Sequence, residues 1–485
     1  MSIQELYALL PLEILGIGSM VMLLAGAFFP SVGKKALNFS GAAITLSAGL
    51  VATFYSPAVP EAGHMIGFSG FSLFFTALSC FAAFITLLIS AGYSERRPLG
   101  EEEYPSLVLF AAFGMAFLSS STSLLGIFVG LESMTLALYI LIASNKADPL
   151  SGEAGVKYLV VGAVSTAFFA FGLSLVYFDT GTLSVTAAMQ AMTHTGKMSP
   201  VGLVGWAMLL VGIGFKVSLA PFHLWAPDVY EGGPAPVIAF LSTGSKAAVF
   251  AAFLRLTLAS SSGWGSLVPV LWTVAVLTMA YGNIAALTQD NVKRLLAYSS
   301  IAQMGYVLVA LIAAPGSGGT SAVFYLLAFV AMDLAAFGVI ASFSGKDGDI
   351  GGIDGLRGLG YVYPFRSAAL ALAFFSLAGL PPTAGFIAKF GVFYAAVKSG
   401  YVYLAVIGIA TAIISVYYYL KVVVYLYMRP ADSSKVVPLA MTAIPRPDPA
   451  GHFALAVLMA AIIALGILPG GMLDLIAGFM ARPLI

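Results

Sequence analysis

Long apolar stretches recur along almost the whole chain and constrain its fold more than any other feature. A helix needs about 20 mostly apolar residues to cross the roughly 30 Å hydrocarbon core of a bilayer. Fourteen such windows begin near residues 11, 37, 72, 105, 122, 156, 201, 234, 268, 293, 320, 366, 401 and 452. Only 9% of the 485 residues are charged, against about 25% in soluble domains. The sequence therefore predicts an all-α integral membrane protein with about 14 transmembrane helices.

The basic residues between these windows are unevenly distributed, and cytoplasmic loops are the ones that retain lysine and arginine. If the N-terminus faces outward, thirteen basic residues fall in inward loops: Lys34, Lys35, Arg96, Arg97, Lys146, Lys293, Arg294, Lys346, Arg357, Arg366, Arg429, Lys435 and Arg446. The outward segments then hold four: Lys197, Arg255, Lys398 and Arg482. We therefore expect both termini on the outer side of the membrane. This orientation requires an even number of spans, which fourteen satisfies and twelve would as well.

Four ionisable residues, Glu132, Lys216, Lys246 and Lys389, lie near the middle of predicted spans. A charged side chain there costs at least about 2.5–3.5 kcal/mol, and such residues usually pair with one another or line a water path. An apolar interior favours the neutral form of a lysine, and a nearby carboxylate favours the charged form again. A lysine whose partner can approach or withdraw is therefore suited to carry a proton.

Prolines interrupt two of the spans that carry these lysines. Pro221 follows Lys216, and the pair Pro381 and Pro382 precedes Lys389. Proline removes a backbone donor and breaks a helix, which is tolerated at membrane depth where the break is buried in protein or lines a water-filled cavity. Spans four to eight and nine to thirteen form two blocks of five, which predicts two inverted repeats, each with a proline-broken helix.

These features divide the chain into four parts. Residues 1–104 hold the first three transmembrane helices, 105–260 the first five-helix repeat and 266–428 the second. Residues 429–485 form a cytoplasmic loop and the last transmembrane helix. No connection between spans is long and polar enough to form a soluble domain.

Two further residues allow either a structural or a functional interpretation. His223, just after Pro221, could relay protons between Lys216 and Lys246, or could be a satisfied structural histidine near a helix end. Asp333 lies in the middle of YLLAFVAMDLAAFGVI. It could pair with a lysine, or could be protonated and accept a backbone donor.

Three further sites of charge lie near the span ends. Lys157 stands four residues after Glu153, and an ion pair on one helix face explains this spacing as well as a transport role does. Lys421 lies near the end of a span and is expected to extend towards the membrane surface. Asp228 and Glu231 flank the proline-rich turn before the eighth span and are expected to shape it.

The residues offer little for redox or metal chemistry, and we expect no cofactor in this chain. Cys80 is the only cysteine, and one cysteine cannot hold an iron–sulfur cluster. The histidines are His64, His194, His223 and His452, without the spacing of metal ligands. There is no P-loop, so this chain cannot by itself couple transport to nucleotide hydrolysis. The net charge of +1 gives no reason to expect nucleic acid as a partner.

Three stretches resemble the antiporter-like, proton-translocating membrane subunits of respiratory complex I. They are GIGFKVSLAPFHLWAPDVYEGGPAPVIAFLSTGSKAAVFAAFLRL, NVKRLLAYSSIAQMGYVLVAL and SLAGLPPTAGFIAKFGVF. They occur in the family's order, and the resemblance runs over residues 105–425. Three features favour one particular member of the family. They are the sequence FHLWAPDVYEGGPAPV, the lack of a long C-terminal lateral helix and the lysine at position 389.

The resemblance implies a role for each mid-span residue. Glu132 and Lys216 would form a pair that modulates the proton affinity of the lysine, and Lys246 would be the central relay. Lys389 would exchange protons with the far half-channel or with a neighbouring subunit. The resemblance also implies that FMN, iron–sulfur clusters and quinone belong to other subunits of an NADH:quinone oxidoreductase. The partners would be other complex I membrane subunits, including sister antiporter-like ones, in the bacterial inner membrane.

Three functions therefore stand beside one another: a proton-pumping subunit of a redox complex, an Mrp-type sodium/proton antiporter subunit, and a structural anchor whose buried charges only hold helices together. The first two share the same local chemistry. The amino-acid sequences of the motifs favour the proton-pumping subunit.

Overall fold

The structure, a computed structural model, describes residues 3–29, 32–57, 59–62, 65–97, 99–100, 102–191, 199–259, 265, 267–345, 348–428 and 448–481. Twelve helices in these ranges are long and apolar enough to cross a bilayer, and three shorter apolar helices accompany them. The predicted all-α membrane architecture is confirmed, and the count of fourteen spans stays a prediction. His64, His194, Lys197, Lys346, Arg482 and most of the loop 429–450 lie outside the described residues.

Within the described residues, the first half of the chain forms ten helices and one small hairpin. The helices are α1 Ile3–Phe28, α2 Lys34–Phe54, α3 Gly70–Tyr93, α4 Glu103–Ser120, α5 Leu124–Ile142, α6 Pro149–Thr180, α7 Val185–Ala191, α8 Pro200–Lys216, α9 Ala226–Gly232 and α10 Ala235–Ala259. Strands β1 Val59–Ala62 and β2 Ile66–Phe68 pair antiparallel between α2 and α3.

The second half forms eight longer helices in the part of the chain that the structure describes. They are α11 Val268–Leu287, α12 Val292–Ile312, α13 Gly319–Phe343, α14 Pro364–Ala378, α15 Ala384–Lys398, α16 Val402–Tyr427, α17 Pro449–Ile467 and α18 Gly470–Met480. A 3₁₀ turn at Ile353–Leu356 and a single helical turn at Leu359–Val362 connect α13 to α14.

Several helices begin at a side chain that accepts a hydrogen bond from their open backbone amides. Ser123, Asp148 and Asn291 act in this way at the starts of α5, α6 and α12. Such caps stabilise a helix end by about 1 kcal/mol. They explain why the chain can turn within a few residues between long apolar helices.

Three helices form the interior of the molecule. α10 is wholly buried, and α12 and α13 are nearly so, whereas α6 and α17 present most of their surface outward. α13 packs against both α10 and α12, and α3 covers α10 and α13 from the N-terminal part of the chain. An apolar outer ring around a polar-containing centre is the arrangement that a bilayer imposes. Lys246 lies on α10 and Asp333 on α13.

The outward position of Arg255 stays a prediction, and the structure shows that its side chain is buried. Arg255 lies on α10 and is 1% exposed. Its guanidinium donates to the carbonyl oxygens of Ser120 at 3.3 Å and Ser121 at 2.8 Å. These carbonyls are left open where α4 ends in the short turn before α5, and a buried cation satisfies them.

Candidate functional site

The first helix break follows Lys216, where α8 ends. Ser218 has a φ of 60°, and the chain resumes helical geometry only at Ala226. Pro221 cannot supply the backbone hydrogen bond that a continuing helix would need. The indole of Trp225 donates to the carbonyl of Phe215 at 3.0 Å and so satisfies one acceptor that the break leaves open. The break therefore places Lys216 at a helix C-terminus inside the protein.

Lys216 faces Glu132 across the interface between α8 and α5. Its Nζ lies 3.6 Å from Glu132 Oε1 and donates to Thr135 Oγ1 at 3.0 Å. Thr166 on α6 donates to the same Glu132 oxygen at 2.8 Å. Lys216 is 3% exposed, whereas the Glu132 side chain is 22% exposed. The lysine is thus enclosed and its carboxylate partner reaches the outer edge of the bundle.

Lys246 lies at the centre of the wholly buried α10, directly after a wide turn at Leu241–Ser245 that has π-helical geometry. Wide turns of this kind within α-helices are found frequently at functional sites. The hydroxyls of this turn donate to backbone carbonyls of α10 itself. Lys246 Nζ instead donates to Ser300 Oγ on α12 at 2.7 Å and lies 5.5 Å from the centre of the Tyr230 ring.

The second helix break separates α14 from α15. Lys389 on α15 reaches back across it to the end of α14. Gly379 ends α14 with a φ of 85°, a conformation that favours glycine. Lys389 Nζ donates to the carbonyl oxygens of Leu377 at 2.8 Å and Ala378 at 3.1 Å. A cation at the C-terminal carbonyls of a helix is stabilised by the helix dipole. Both breaks thus place a lysine at the end of a helix inside the protein.

A hydrogen-bonded cluster lies between Lys246 and Lys389. Gln303 on α12 donates to Tyr419 Oη at 2.9 Å and to the Leu377 carbonyl at 3.2 Å, the carbonyl that also accepts from Lys389. Tyr419 and Ser299 share a hydrogen bond of 2.5 Å. Tyr325 donates to Gln303 Oε1. Sequence patterns give little indication of this cluster, because its members are spread over three helices without a common spacing.

Lys389 also borders an apolar cleft between α15 and α16, with a volume of about 450 Å³. Phe390 and Tyr394 line it and are 62% and 58% exposed. Large exposed aromatic side chains in a row mark a surface suited to contact with lipid or another apolar chain.

His223 is buried between α8 and α9, and its ring packs on that of Tyr281 at 4.3 Å between centroids. Neither ring nitrogen has a hydrogen-bond partner among the described residues. No hydrogen bond within these residues connects it to Lys216 or Lys246. The structure therefore brings Lys216 and Glu132 together, and leaves His223 outside their hydrogen bonds.

A polar cavity of about 450 Å³ opens at the end of the bundle where α9 turns into α10. Asp349 lies in its wall and forms ion pairs with Lys293 at 2.9 Å and Arg97 at 3.3 Å. It also accepts from the backbone amide of Ala235 at 3.2 Å. Burial would raise the pKa of Asp349, but Lys293, Ser344 and Arg97 outweigh that effect and hold this pKa below its usual range.

The remaining charges form surface pairs near the same end. The predicted pair of Lys157 and Glu153 is present at 2.7 Å, and Lys157 also reaches Asp228 at 2.7 Å. The hydrogen bond from Lys157, with that from Arg294, lowers the pKa of Asp228.

Arg294 on α12 contacts both Asp228 and Glu231 on α9 at 2.8 Å. It therefore connects α12 to the helix that precedes α10. Lys421 reaches Asp290 in the connection between α11 and α12 at 2.9 Å. These contacts tie the ends of neighbouring helices together. Within the described ranges, no three His, Cys, Asp or Glu side chains are grouped so that they could hold a metal ion.

Sequence reasoning missed the hydroxyl groups that accompany the buried charges. Thr135 stands three residues after Glu132, so both lie on one face of α5, and this spacing could have indicated it. Thr166, Ser300 and Tyr230 come from other helices, and only the packing brings Thr166 to Glu132 and the other two to Lys246.

Taken together, these features define a multi-pass helical membrane protein with buried lysines at two interrupted helices. Residues 121–415 match the family described as "NADH:quinone oxidoreductase/Mrp antiporter, TM". The chain is 46% identical over 480 residues to NADH-quinone oxidoreductase subunit N of Geobacter metallireducens, an alignment that covers 99% of this chain and 100% of that protein. It is 45% identical over 477 residues to the subunit N of Geotalea uraniireducens, with 98% and 99% covered.

A solved structure of complex I shares this fold. One chain of respiratory complex I from Thermus thermophilus with bound aureothin superposes with a TM-score of 0.81 at 33% identity, with 96% of this chain and 98% of that chain covered. The chain therefore belongs to the family of NADH-quinone oxidoreductase subunit N.

Proposed function

We propose that this chain conducts protons across the membrane as one pump module of an NADH:quinone oxidoreductase, through Glu132, Lys216, Lys246 and Lys389. Electron transfer from NADH to quinone takes place in other subunits, which hold FMN, iron–sulfur clusters and the quinone. The observation that carries the proposal is the burial of three lysines in the interior of a family member. Each is 7% exposed or less.

The surroundings of the lysines fit a sequence of proton transfers better than a set of fixed ion pairs. Lys216 has a carboxylate at 3.6 Å, too far for a strong hydrogen bond but close enough for its charge to act. Lys246 and Lys389 donate to a hydroxyl and to carbonyls, which are neutral acceptors. A lysine with neutral neighbours loses its proton more readily than one in a tight salt bridge.

We infer that the N- and C-termini face the outer side of the bacterial inner membrane. The end of the bundle with Arg97, Lys293 and Arg294 would then face the cytoplasm, in agreement with the retention of basic residues there. The polar cavity beside Asp349 would open to the cytoplasm. The helices of residues 105–260 and 266–428 would form the two inverted repeats.

The partners in this proposal are other complex I membrane subunits, including sister antiporter-like subunits. The aromatic cleft between α15 and α16 would receive a neighbouring membrane chain. Lys389 borders this cleft, so it would exchange protons with the far half-channel or with that neighbour.

The proposal is tested with the assembled complex in inverted membrane vesicles, by NADH-driven proton uptake per assembled complex. Lys216→Ala and Lys246→Ala should each abolish proton uptake while the complex assembles. Lys398→Ala, at the outer end of α15, serves as a matched loss of a lysine and should pump normally. Loss of assembly with normal uptake per remaining complex would refute the transport assignment and favour a structural anchor.

Copurification distinguishes the proposed function from that of an Mrp-type antiporter subunit, an alternative that the family description also covers. A tagged form of this chain should bring down flavoprotein and iron–sulfur subunits. An antiporter subunit would be isolated without them.

A further inference from the structure

Asp333 is buried at the centre of the molecule, and its carboxylate has no hydrogen bond of ordinary geometry within the described residues. Asp333 lies on α13 and is 0% exposed. The hydroxyl of Ser242 lies close enough to interact with it but donates to the Ala239 carbonyl at 3.1 Å. An isolated buried carboxylate is very costly, so Asp333 needs either a proton or a nearby cation.

The ionisable groups that act on Asp333 come from three other helices. Among the described residues these are one cation, Lys246 on α10, and two phenols, Tyr230 on α9 and Tyr419 on α16. α13 packs directly against the wide turn Leu241–Ser245 that precedes Lys246. The carboxylate and the ammonium thus belong to one buried cluster, although no direct hydrogen bond joins them.

Asp333 also interacts electrostatically with Tyr419, which belongs to the hydrogen-bonded cluster next to Lys389. Tyr419 shares the 2.5 Å hydrogen bond with Ser299 and accepts from Gln303. Gln303 and Lys389 donate to the same Leu377 carbonyl. The groups near Asp333 therefore reach from the central lysine to the lysine at the second helix break.

We propose that Asp333 is a further proton-exchanging residue of this path, which accepts a proton from Lys246 on the side that faces Lys389. In this step one N–H bond of the Lys246 ammonium breaks and one O–H bond forms on Asp333. Both groups become neutral, and the reverse transfer restores the charges. Asp333 would serve Lys246 as Glu132 serves Lys216. The inference rests on the proposed proton path.

The test compares Asp333→Asn, Asp333→Ser and Asp333→Glu, with proton uptake normalised to the assembled complex in inverted vesicles. Asn and Ser cannot take up the proton, so uptake should fall to the level of Lys246→Ala. Glu keeps a carboxylate, so Asp333→Glu should restore a large part of the uptake. Asp354→Asn makes the same chemical change on a 71% exposed side chain and should pump normally.

Measuring the assembly of the complex distinguishes a merely structural role of Asp333 from proton exchange. Lys246→Ala leaves Asp333 as a lone charge, so Lys246→Ala/Asp333→Asn should assemble at least as well as Lys246→Ala alone, and poorer assembly of the double variant would contradict the inference. Normal uptake per complex in Asp333→Asn or Asp333→Ser would overturn it, and so would an Asp333→Glu variant that assembles without pumping. If Lys246→Ala itself pumps normally, the proposed function fails and not only the role of Asp333.

Discussion

Lys216 Nζ lies 3.6 Å from Glu132 Oε1, whereas it donates a hydrogen bond to the Thr135 hydroxyl at 3.0 Å. The two charges are therefore close without a direct hydrogen bond between them. A small movement of either side chain would close or widen the gap. The energy of two charges varies inversely with their distance and is larger in a protein interior than in water, so in the proposed path such a movement would change the proton affinity of the lysine.

Glu132→Gln should lower proton uptake per complex at least about tenfold, because loss of the carboxylate removes about 1.4 kcal/mol or more of charge stabilisation from Lys216. The amide can still accept from Thr166, so the packing of α5 on α6 should be preserved. Uptake in inverted vesicles measures the effect. Glu153→Gln, the same change at a 58% exposed side chain, is the control. Equal uptake in both variants would show that the Glu132 charge is not used.

Gly379→Ala should disturb Lys389 directly. Gly379 has a φ of 85°, and a Cβ atom there would stand 2.9 Å from Lys389 Cδ. The backbone strain costs about 1–2 kcal/mol, and the contact would push the lysine away from the carbonyls of α14. Proton uptake per complex should fall severalfold.

Gly400→Ala is the matched control for this effect. Gly400 has a φ of 87°, but among the described residues no atom lies within 4 Å of the position that a Cβ would take there. It should show the cost of backbone strain in thermal stability and no loss of uptake per complex. A similar loss of uptake in both variants would mean that strain alone, and not displacement of Lys389, is responsible.

His223→Phe should leave proton uptake within about twofold of the unchanged complex, a difference below about 0.5 kcal/mol. The substitution keeps a ring against Tyr281 and removes both nitrogens, which have no hydrogen-bond partner in the described part of the chain. Uptake and assembly are measured together. A large loss of uptake with normal assembly would restore His223 to the proton path.

Asp349→Asn should destabilise the complex by about 3–5 kcal/mol, the usual effect of removing one partner of a buried ion pair. Because the pKa of Asp349 is lowered in the folded protein, its contribution is complete above about pH 4 and is lost only as the pH falls through the folded value. The deficit relative to Asp354→Asn in thermal unfolding should therefore be the same at pH 7.5 and pH 5. A deficit that shrinks over this range would contradict the role of the ionised carboxylate.

The membrane class, the two helix breaks and the buried lysines can be predicted from the sequence, because each follows from a local property. Apolar length predicts spans, Pro221 and Pro381 interrupt helices, and a lysine in an apolar span must be sheltered. The same local pattern places Arg255 in an outward segment, because a charge near the end of an apolar window marks a boundary. It cannot reveal the open carbonyls of Ser120 and Ser121, which accept the guanidinium in the interior.

The contacts of the site could not be predicted, because they join residues far apart in the chain. Ser300 and Lys246 belong to different helices, and only the packing of α10 against α12 brings them within 2.7 Å. Asp333 allows two interpretations in the sequence, and its place beside the wide turn of α10 decides which groups act on it. His223 follows a broken helix in the sequence, yet the fold turns its ring towards Tyr281.

The most direct test of the proton path is the number of protons taken up per NADH oxidised by vesicles that contain Lys246→Ala, measured beside the unchanged complex at equal assembly. We expect proton uptake to be lost in the variant while the assembled complex contains all its subunits. An unchanged ratio of protons to NADH in the assembled variant would contradict a proton path through Lys246.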